Sequence, residues 1–432
     1  MTSEQPPLGD FEQTDTGPDN EGWEEVVFSD VISINDYPSA EKGEEYRSVG
    51  MSDISRDQRK IEDWEYKEYS YSRPRFRNGQ TLMARITPCL ENGKTAFVDI
   101  LGDDEVAVGS TEFIVLSDTD RTLPKFVYYT ARRPEIRQFA IKRMTGTSGR
   151  QRVPLDIFDN KKIRLPHVNE QKKIVNVLDA IDSRIETNNR INQILEEMAQ
   201  SLFSSWFVDL RNYDGETEYD EEFERDVPET WEKASLDSIA EFLNGKAWKD
   251  YSSENEELNN LPVVKIKELR NGVSDDSDEV MRSESPEKYI LDDGDIVFSW
   301  SASLVLDLWS EGDAFLNQHL FKVTSQQYPR WFCYLWIDRH IRIFRHIAEA
   351  KKTTMGHIKR TDLEEAKVIV PPEEEIKIMS EKMKPIFEKR VESQVENRKL
   401  EELRDTLLPK LMSGEIRVND IQLDELGVDS EV

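Results

Sequence analysis

One long helical signature occurs twice in this chain at a fixed interval, and that interval limits the fold more than any other feature. After "LPHVNEQKKI", Pro166 closes the preceding segment, Asn169 stands where a helix N-cap is needed, and Glu170 supplies an acidic first turn. Ile174, Leu178, Ile181, Ile185, Asn188, Asn192, Leu195, Ala199, Leu202 and Trp206 then follow at alternating steps of four and three, which is a heptad seam. Such a helix, from Glu170 to Phe207, is expected to run roughly 60 Å at about 1.5 Å per residue. A second segment follows "KVIVPPEEEIKI" and carries Met379, Met383, Ile386, Asn397, Leu400, Leu407 and Leu411. Pro166 and Pro371, Asn192 and Asn397, Leu195 and Leu400, Glu196 and Glu401, and Leu202 and Leu407 all stand 205 residues apart. Heptads alone could coincide by chance, but a matched proline entry, polar seam position and Glu without an insertion mark a true repeat.

The regions ahead of the helices echo each other more loosely. "FRNGQTLMARI" (76–86) resembles "LDDGDIVFSWS" (291–301), each a Gly turn followed by a strand-like run. "VGSTEFIVL" (108–116) stands where "FLNQHLFKV" (315–323) stands later. An aromatic helix follows in each half, "KFVYYTARRPEIRQFAI" and "RWFCYLWIDRHIRIFRHI", and then a Gly-containing basic loop, "TGTSGRQRV" and "TTMGHIKRT". At 432 residues the chain is too long for one ordinary core. The predicted fold class is therefore α+β: two α+β domains separated by two long helices. The helices can pair as an antiparallel coiled coil, which would make the repeat an internal pseudo-twofold. Predicted boundaries are an acidic disordered extension at 1–22, a first domain at 23–166, a long helix at 167–210, an acidic linker at 211–228, a second domain at 229–371, a second long helix at 372–413 and an acidic tail at 414–432. Pro385 is expected to kink the second helix or delay its start to about Ile386.

Charge narrows the function classes less than its average suggests. The net charge of −30 counts against a nucleic-acid partner, because phosphate binding relies on Lys and Arg. The acid is concentrated at the N-terminus, in "YDGETEYDEEFERD" and in the tail, whereas Arg132–Arg152 and Arg339–Arg360 are local positive islands. Adaptation to high salt is an alternative origin of the acid excess. Cys89 and Cys333 form no metal or disulfide spacing, the N-terminus lacks a signal-peptide pattern, and no apolar run approaches the roughly 18 residues that span a bilayer. A cytoplasmic chain without a membrane partner is expected.

Motifs for chemistry are absent. There is no GxxxxGK[ST] loop, no HExxH pair among the five histidines and no Asn-Pro-Pro-aromatic methyltransferase motif. Pairs such as Glu65 with Lys67 or Glu91 with Lys94 are expected by chance in a chain with 33% charged residues. No catalytic residue, no metal site and no cofactor of this chain's own are predicted.

Two modules held by paired rods suit a two-part DNA site, since half-sites recur at about 34 Å per helical turn and a rigid spacer fixes that distance. Asn192 and Asn397 are then register residues, because a polar group in the seam costs stability but prevents slippage; exposure of the seam at those positions is the plainer reading. Thr147, Ser148, Gly149, Arg150 and Arg152, with Thr354, Gly356, His357, Lys359 and Arg360, combine amides, hydroxyls and cations suited to DNA contact. Alternatively, the glycines serve turns and the cations pair with surplus acid. Asn317, Gln318 and His319 suit either base contact or strand packing. Trp206 and Phe207 suit burial against a partner or, as the preferred reading, in the core.

"PHVNEQKKIVNVLDAIDSRIETNNRINQILEEMAQSLFSSWFVD" resembles the central conserved region of type I restriction-modification specificity subunits, and "KMKPIFEKRVESQVENRKLEELRDTLLPKLMSGEIRV" is similar to their C-terminal one. The resemblance covers about Phe28 to Val418. It implies a non-catalytic subunit with two target recognition domains, each reading half of a bipartite, asymmetric site in double-stranded DNA, while the helices set the spacing and dock modification subunits. S-adenosylmethionine would belong to those subunits, and ATP and Mg to restriction subunits. The acidic extension departs from the family pattern and leaves the start of the first domain open. A self-contained DNA methyltransferase or nuclease with an unrecognised site, and a coiled-coil adaptor without a DNA role, are the alternatives.

Overall fold

The structure is a computed structural model that describes residues 22–420, apart from 57, 62, 71, 148, 212, 249–259, 275, 283–285, 302–303 and 351–357 and the side chains of 346–350. The expected disordered extension and most of the acidic tail thus lie outside the described residues. Two compact units form, one from Met1–Arg184 with Glu401–Val432 and one from Ile185–Leu400. The division falls inside the two long helices, Val168–Phe207 and Glu373–Ser413, so each unit joins an α+β module to a portion of both.

The two modules share one strand topology. In the first unit an antiparallel sheet runs in the order Ser33–Ile34, Phe113–Ser117, Thr81–Ala84, Thr95–Phe97. A second sheet runs Glu65–Glu68, Glu45–Val49, Ala107–Gly109, Arg75–Phe76, with its middle pair parallel. The second unit repeats both orders, as Glu241–Asn244, Leu320–Thr324, Ile296–Ser299, Leu306–Leu308 and as Glu279–Met281, Asn260–Val264, Ala314–Leu316, Ile290–Leu291, again with a parallel middle pair. Each module is closed by a strand pair that brings its start to its end, Trp23–Val27 with Lys162–Pro166 and Glu232–Ser235 with Lys367–Val370. The first module therefore starts at Trp23, inside a segment that sequence left open. The matched Gly turns are real equivalents: Gly79 and Gly294 have φ of +88° and +91°, a region that side chains with a Cβ avoid.

Sheet residues supply the first core, with Phe76, Leu82, Val98, Phe113 and Val115 buried, and in the second unit the sheet residues Phe298 and Phe321 are buried with Trp331, Phe332 and Trp336 of the helix Arg330–Ala350. Phe207 is fully buried in that second core, 5.6 Å from Trp336 and 5.4 Å from Trp231 between ring centroids, and Trp206 packs beside Trp331. The aromatic helices differ. In the second unit Arg330–Ala350 is continuous, but in the first Pro124–Arg132 and Pro134–Ile141 are separate, because Pro134 forces Arg133 out of the helical region to ψ 130°.

Two expectations need correction. The second long helix does not wait for Ile386: it begins at Glu373 and passes through Pro385. Three acidic residues in its first turn complement the helix dipole, and Met383, Ile386 and Phe387 are buried around the proline, which offsets the missing amide donor. The acidic linker contains a hairpin, Thr217–Asp220 with Arg225–Pro228. Asp220 accepts from the amides of Glu222 and Phe223 and pairs with Lys233, while Val227 is buried. The acid marked exposure there, not absence of structure.

Within each unit the long helices run antiparallel, and a buried arginine crosses between them. In the first unit Arg404 donates to Asp182 at 3.1 Å, with both side chains 3% exposed, and Asp182 accepts a second bond from the Tyr129 hydroxyl at 2.8 Å. In the second, Arg390 reaches Glu196 at 3.3 Å and lies over the Tyr334 ring at 5.4 Å. Arg404→Met should lower stability by about 3–5 kcal/mol by stranding a buried carboxylate, read as the midpoint of urea unfolding, and Arg404→Met with Asp182→Leu should recover most of it. A pH effect comes from Asp307. Although partly accessible, it is crowded by protein, and desolvation pushes it up to about 6 from an ordinary 3.8, with nearby Glu196 adding to the rise. The folded state therefore holds its proton more tightly, so this contribution is present below about pH 4 and lost as pH rises through 6. Asp307→Asn should flatten that part of the stability profile in thermal melts from pH 4 to 7.

Candidate nucleic-acid interface

One edge of each module is built by the same backbone hydrogen bonds. In the first unit Arg85 N donates to Glu112 O at 2.9 Å and Val153 N to Arg85 O at 2.9 Å, which ties a strand end, a tight turn and the basic loop together. The equivalents in the second unit are Trp300 N to His319 O at 3.3 Å and Ile358 N to Trp300 O at 2.9 Å. The turns match in detail. Phe113 N bonds Ser110 O and Leu320 N bonds Asn317 O, at 3.1 and 3.0 Å. The Ser110 hydroxyl accepts from Glu112 N at 3.2 Å, as the Asn317 amide oxygen accepts from His319 N at 3.3 Å.

The predicted loop residues divide. Thr145 and Arg152 exchange two backbone bonds, 2.9 and 2.8 Å, so the first loop is a small hairpin, and Gly146 is required there because a Cβ would meet Arg150 O at 2.9 Å. Thr147, Gly149 and Arg150 are exposed at its tip, with Arg150 N bonded to Thr147 O at 3.0 Å. Arg150 has no ion-pair partner among the described residues. Arg152 is different: its guanidinium is held bidentately by Glu112, at 2.8 Å from Nε and 2.6 Å from Nη2. Ser148, Thr354, Gly356 and His357 lie outside the described residues. Lys359 and Arg360 are exposed at the start of the short helix Arg360–Glu365, where Asp362 accepts from Lys359 N at 2.6 Å.

The positive islands are less free than their composition implies. Arg132 donates to the Tyr128 hydroxyl at 2.9 Å, Arg133 pairs with Glu135, and Arg143 stacks on Phe139 at 3.8 Å. In the second island, Arg339, Arg342 and Arg345 line an open cleft of about 540 Å³ with Gln200, Ser204 and Asp338. His340 turns inward to Lys367 O at 2.8 Å, and burial holds its pKa below the ordinary value.

Asn317, left open between base contact and packing, is 7% exposed and caps its turn, so it is structural. His319 is half-buried beside Trp300, with ring centroids 5.8 Å apart, and its Nδ1 lies 3.2 Å from the Ser301 hydroxyl. Trp300 Nε1 donates to the exposed Asn244 at 2.9 Å. Glu112, Trp300 and Asn244 were missed by motif reasoning. The sequence echoes already set Glu112 opposite His319 and Arg85 opposite Trp300, and that was the available signal.

Of the two predicted register residues, Asn397 is hydrogen-bonded across the helix pair. Asn397 accepts from Asn188 Nδ2 at 2.9 Å and donates to Asn189 at 2.7 Å, while Asn188 also reaches Glu396 at 3.0 Å. Asn188 is 1% exposed and Asn397 8%. The Asn192 side-chain oxygen is buried without a partner among the described residues. Among the described residues no cluster of His, Cys, Asp or Glu could hold a metal ion, and no helix is long and apolar enough to cross a membrane.

Two copies of one α+β module, each ending in a long helix, place this chain among tandem-repeat α+β proteins. The family described as "Type I restriction modification DNA specificity domain" matches residues 20–197 and 228–404, and the chain belongs to it. It is 25% identical over 311 residues to the type I restriction enzyme MjaIX specificity subunit of Methanocaldococcus jannaschii, covering 70% of this chain and 71% of that protein. It is also 25% identical over 408 residues to the HindI specificity subunit of Haemophilus influenzae, covering 79% and 87%. The solved type I restriction-modification S subunit from M. genitalium shares the fold with a TM-score of 0.51, at 14% identity over 91% of this chain and 97% of that one.

Proposed function

We propose that this chain is the DNA-specificity subunit of a type I restriction-modification complex, that each unit reads one half of a bipartite asymmetric site in double-stranded DNA, and that the chain itself performs no chemistry. The observation that carries this reading is the repeated edge: one backbone framework, built twice, bears different polar side chains in the two units, as two different half-sites require. The exposed loop residues Thr147, Gly149, Arg150, Lys359 and Arg360 are suited to phosphate positioning. The long helices act as an antiparallel coiled-coil spacer related by a pseudo-twofold, and they dock modification subunits. The buried Asn188 and Asn397 pair supports that role, since a polar contact in an apolar seam penalises every other register. S-adenosylmethionine is then used by the modification subunits and ATP with Mg by restriction subunits, in the cytoplasm.

Co-expression with candidate modification subunits, followed by genome-wide methylation mapping, should yield an interrupted motif with two different halves; a continuous or palindromic motif would count against the two-reader proposal. The spacer is tested by inserting four residues after Asn192 together with four after Ser393. Matched insertions are needed because lengthening one helix alone would pull Glu196 from Arg390 while Asn188 stays on Asn397. The mapped motif should keep both halves and change the length between them.

A further inference from the structure

We infer that the bases are read at the roots of the two loops, by Arg152 buttressed by Glu112 in the first unit and by Asn244 with His319, buttressed by Trp300 and Ser301, in the second. This rests on the proposal that each unit reads a DNA half-site, and it assigns the reading to particular side chains.

Positions that serve the fold carry equivalent residues in both units. Gly79 and Gly294 make the same turn, Leu82 and Val297 fill the same sheet, and Ser110 and Asn317 cap the same turn. At the root of the loop the backbone is again held alike, yet Glu112 stands where the second unit has His319 and Arg85 where it has Trp300. Difference in charge and shape upon a common frame is what two readers of unlike sequences need. Trp300 also packs against Phe321, but Glu112, His319 and Trp300 are all only half-buried, so each keeps a face for contact outside the core. Rooting on strand ends and a tight turn also gives these groups the fixed placement that base recognition demands.

The chemistry at each root is definite. Glu112 engages Nε and Nη2 of Arg152, leaving Nη1 and the outer edge of the fork unengaged on a side chain 48% exposed. A guanidinium held flat in this way offers two parallel donors, the match for guanine O6 and N7. Its charge is balanced by the carboxylate, so it serves poorly as a phosphate anchor. In the second unit Trp300 Nε1 donates to one lone pair of the Asn244 oxygen at 2.9 Å, which fixes the exposed amide with its NH₂ free to donate to adenine N7 and the oxygen's second lone pair free to accept from adenine N6. Ser301 fixes His319 through Nδ1 and leaves Nε2 for a neighbouring base edge.

The test uses the full chain assembled with its modification subunits, read by methylation mapping and by fluorescence anisotropy on duplexes carrying the mapped site or single changes in it. Arg152→Lys and Glu112→Gln should each weaken binding to the intact site by roughly 10- to 100-fold. Binding to a duplex already altered at one guanine of one half should barely change. Asn244→Ala should do the same at one adenine of the other half. Arg150→Ala, by contrast, should weaken all sequences alike and reduce the slope of the salt dependence. Uniform weakening by the Glu112, Arg152 or Asn244 variants, an effect in the opposite half, or an unchanged motif would overturn the assignment while leaving the two-reader proposal standing. A wild-type complex with no interrupted motif would instead remove the proposal on which it rests. Melting temperatures of the variants separate loss of reading from loss of folding.

Discussion

An arginine of the last helix, buried against a carboxylate of the central helix, fixes how the first unit is assembled. Arg404 meets Asp182 with both side chains 3% exposed, and Tyr129 supplies a further bond to the same carboxylate. A buried ion pair adds little net stability, because desolvation cancels most of the attraction, but a misplaced one is costly. The pair therefore acts by excluding other registers. Its effect is long-range in sequence, since the module opened by Trp23 is completed by residues after Glu401. Around Trp23 the first and last parts of the described chain meet: Arg164 and Arg417 stack on its ring, and a Cβ at Gly414 would lie 3.1 Å from it. The second unit sets Arg390 against Glu196, whose side chain is 42% exposed, and over the Tyr334 ring, from different seam positions. The repeat has thus kept a buried arginine between the helices without keeping the buried carboxylate.

Much of this architecture was legible in the sequence because periodicity and turn chemistry are local. The heptad seam, the Gly turns at 79 and 294 and the matched strands at 113 and 320 all follow from short-range patterns. What escaped depends on distant partners. The 205-residue repeat makes Asn192 and Asn397 equivalents but names no contact; an antiparallel pair brings together residues whose numbers run in opposite directions, so Asn397 meets Asn188. Pro385 was read by its local cost, which the buried side chains around it outweigh. Sequence leaves open whether the cations of the basic islands contact DNA or pair with acid; stacking on Phe139 and pairing with Glu112 and Glu135 engage much of the first one.

That last point bears on how so acidic a chain could hold DNA. With a net charge of −30 and few exposed, unpaired cations among the described loop residues, phosphate attraction is weak and falls further as salt shortens the Debye length from about 10 Å at 0.1 M to about 3 Å at 1 M. Groove hydrogen bonds are short-ranged and lose much less. A reader of this composition gains most from side chains set rigidly before contact, since each then forms its bonds without first paying to be ordered. Carboxylate-held Arg152 and Trp300-held Asn244 are groups of that kind.

Two readers on one frame also change what mutation can do. Because the anchoring bonds are made by backbone groups and by Ser110 or Asn317, the exposed parts of Arg152, Asn244 and His319 can vary without disturbing the turn beneath them. Substitutions there act on recognition with little effect on folding, whereas substitutions in the arginine–carboxylate pairs act on folding first. The seam and the reading edge can therefore change independently, and new half-sites can arise in one unit while the register of the helices is retained.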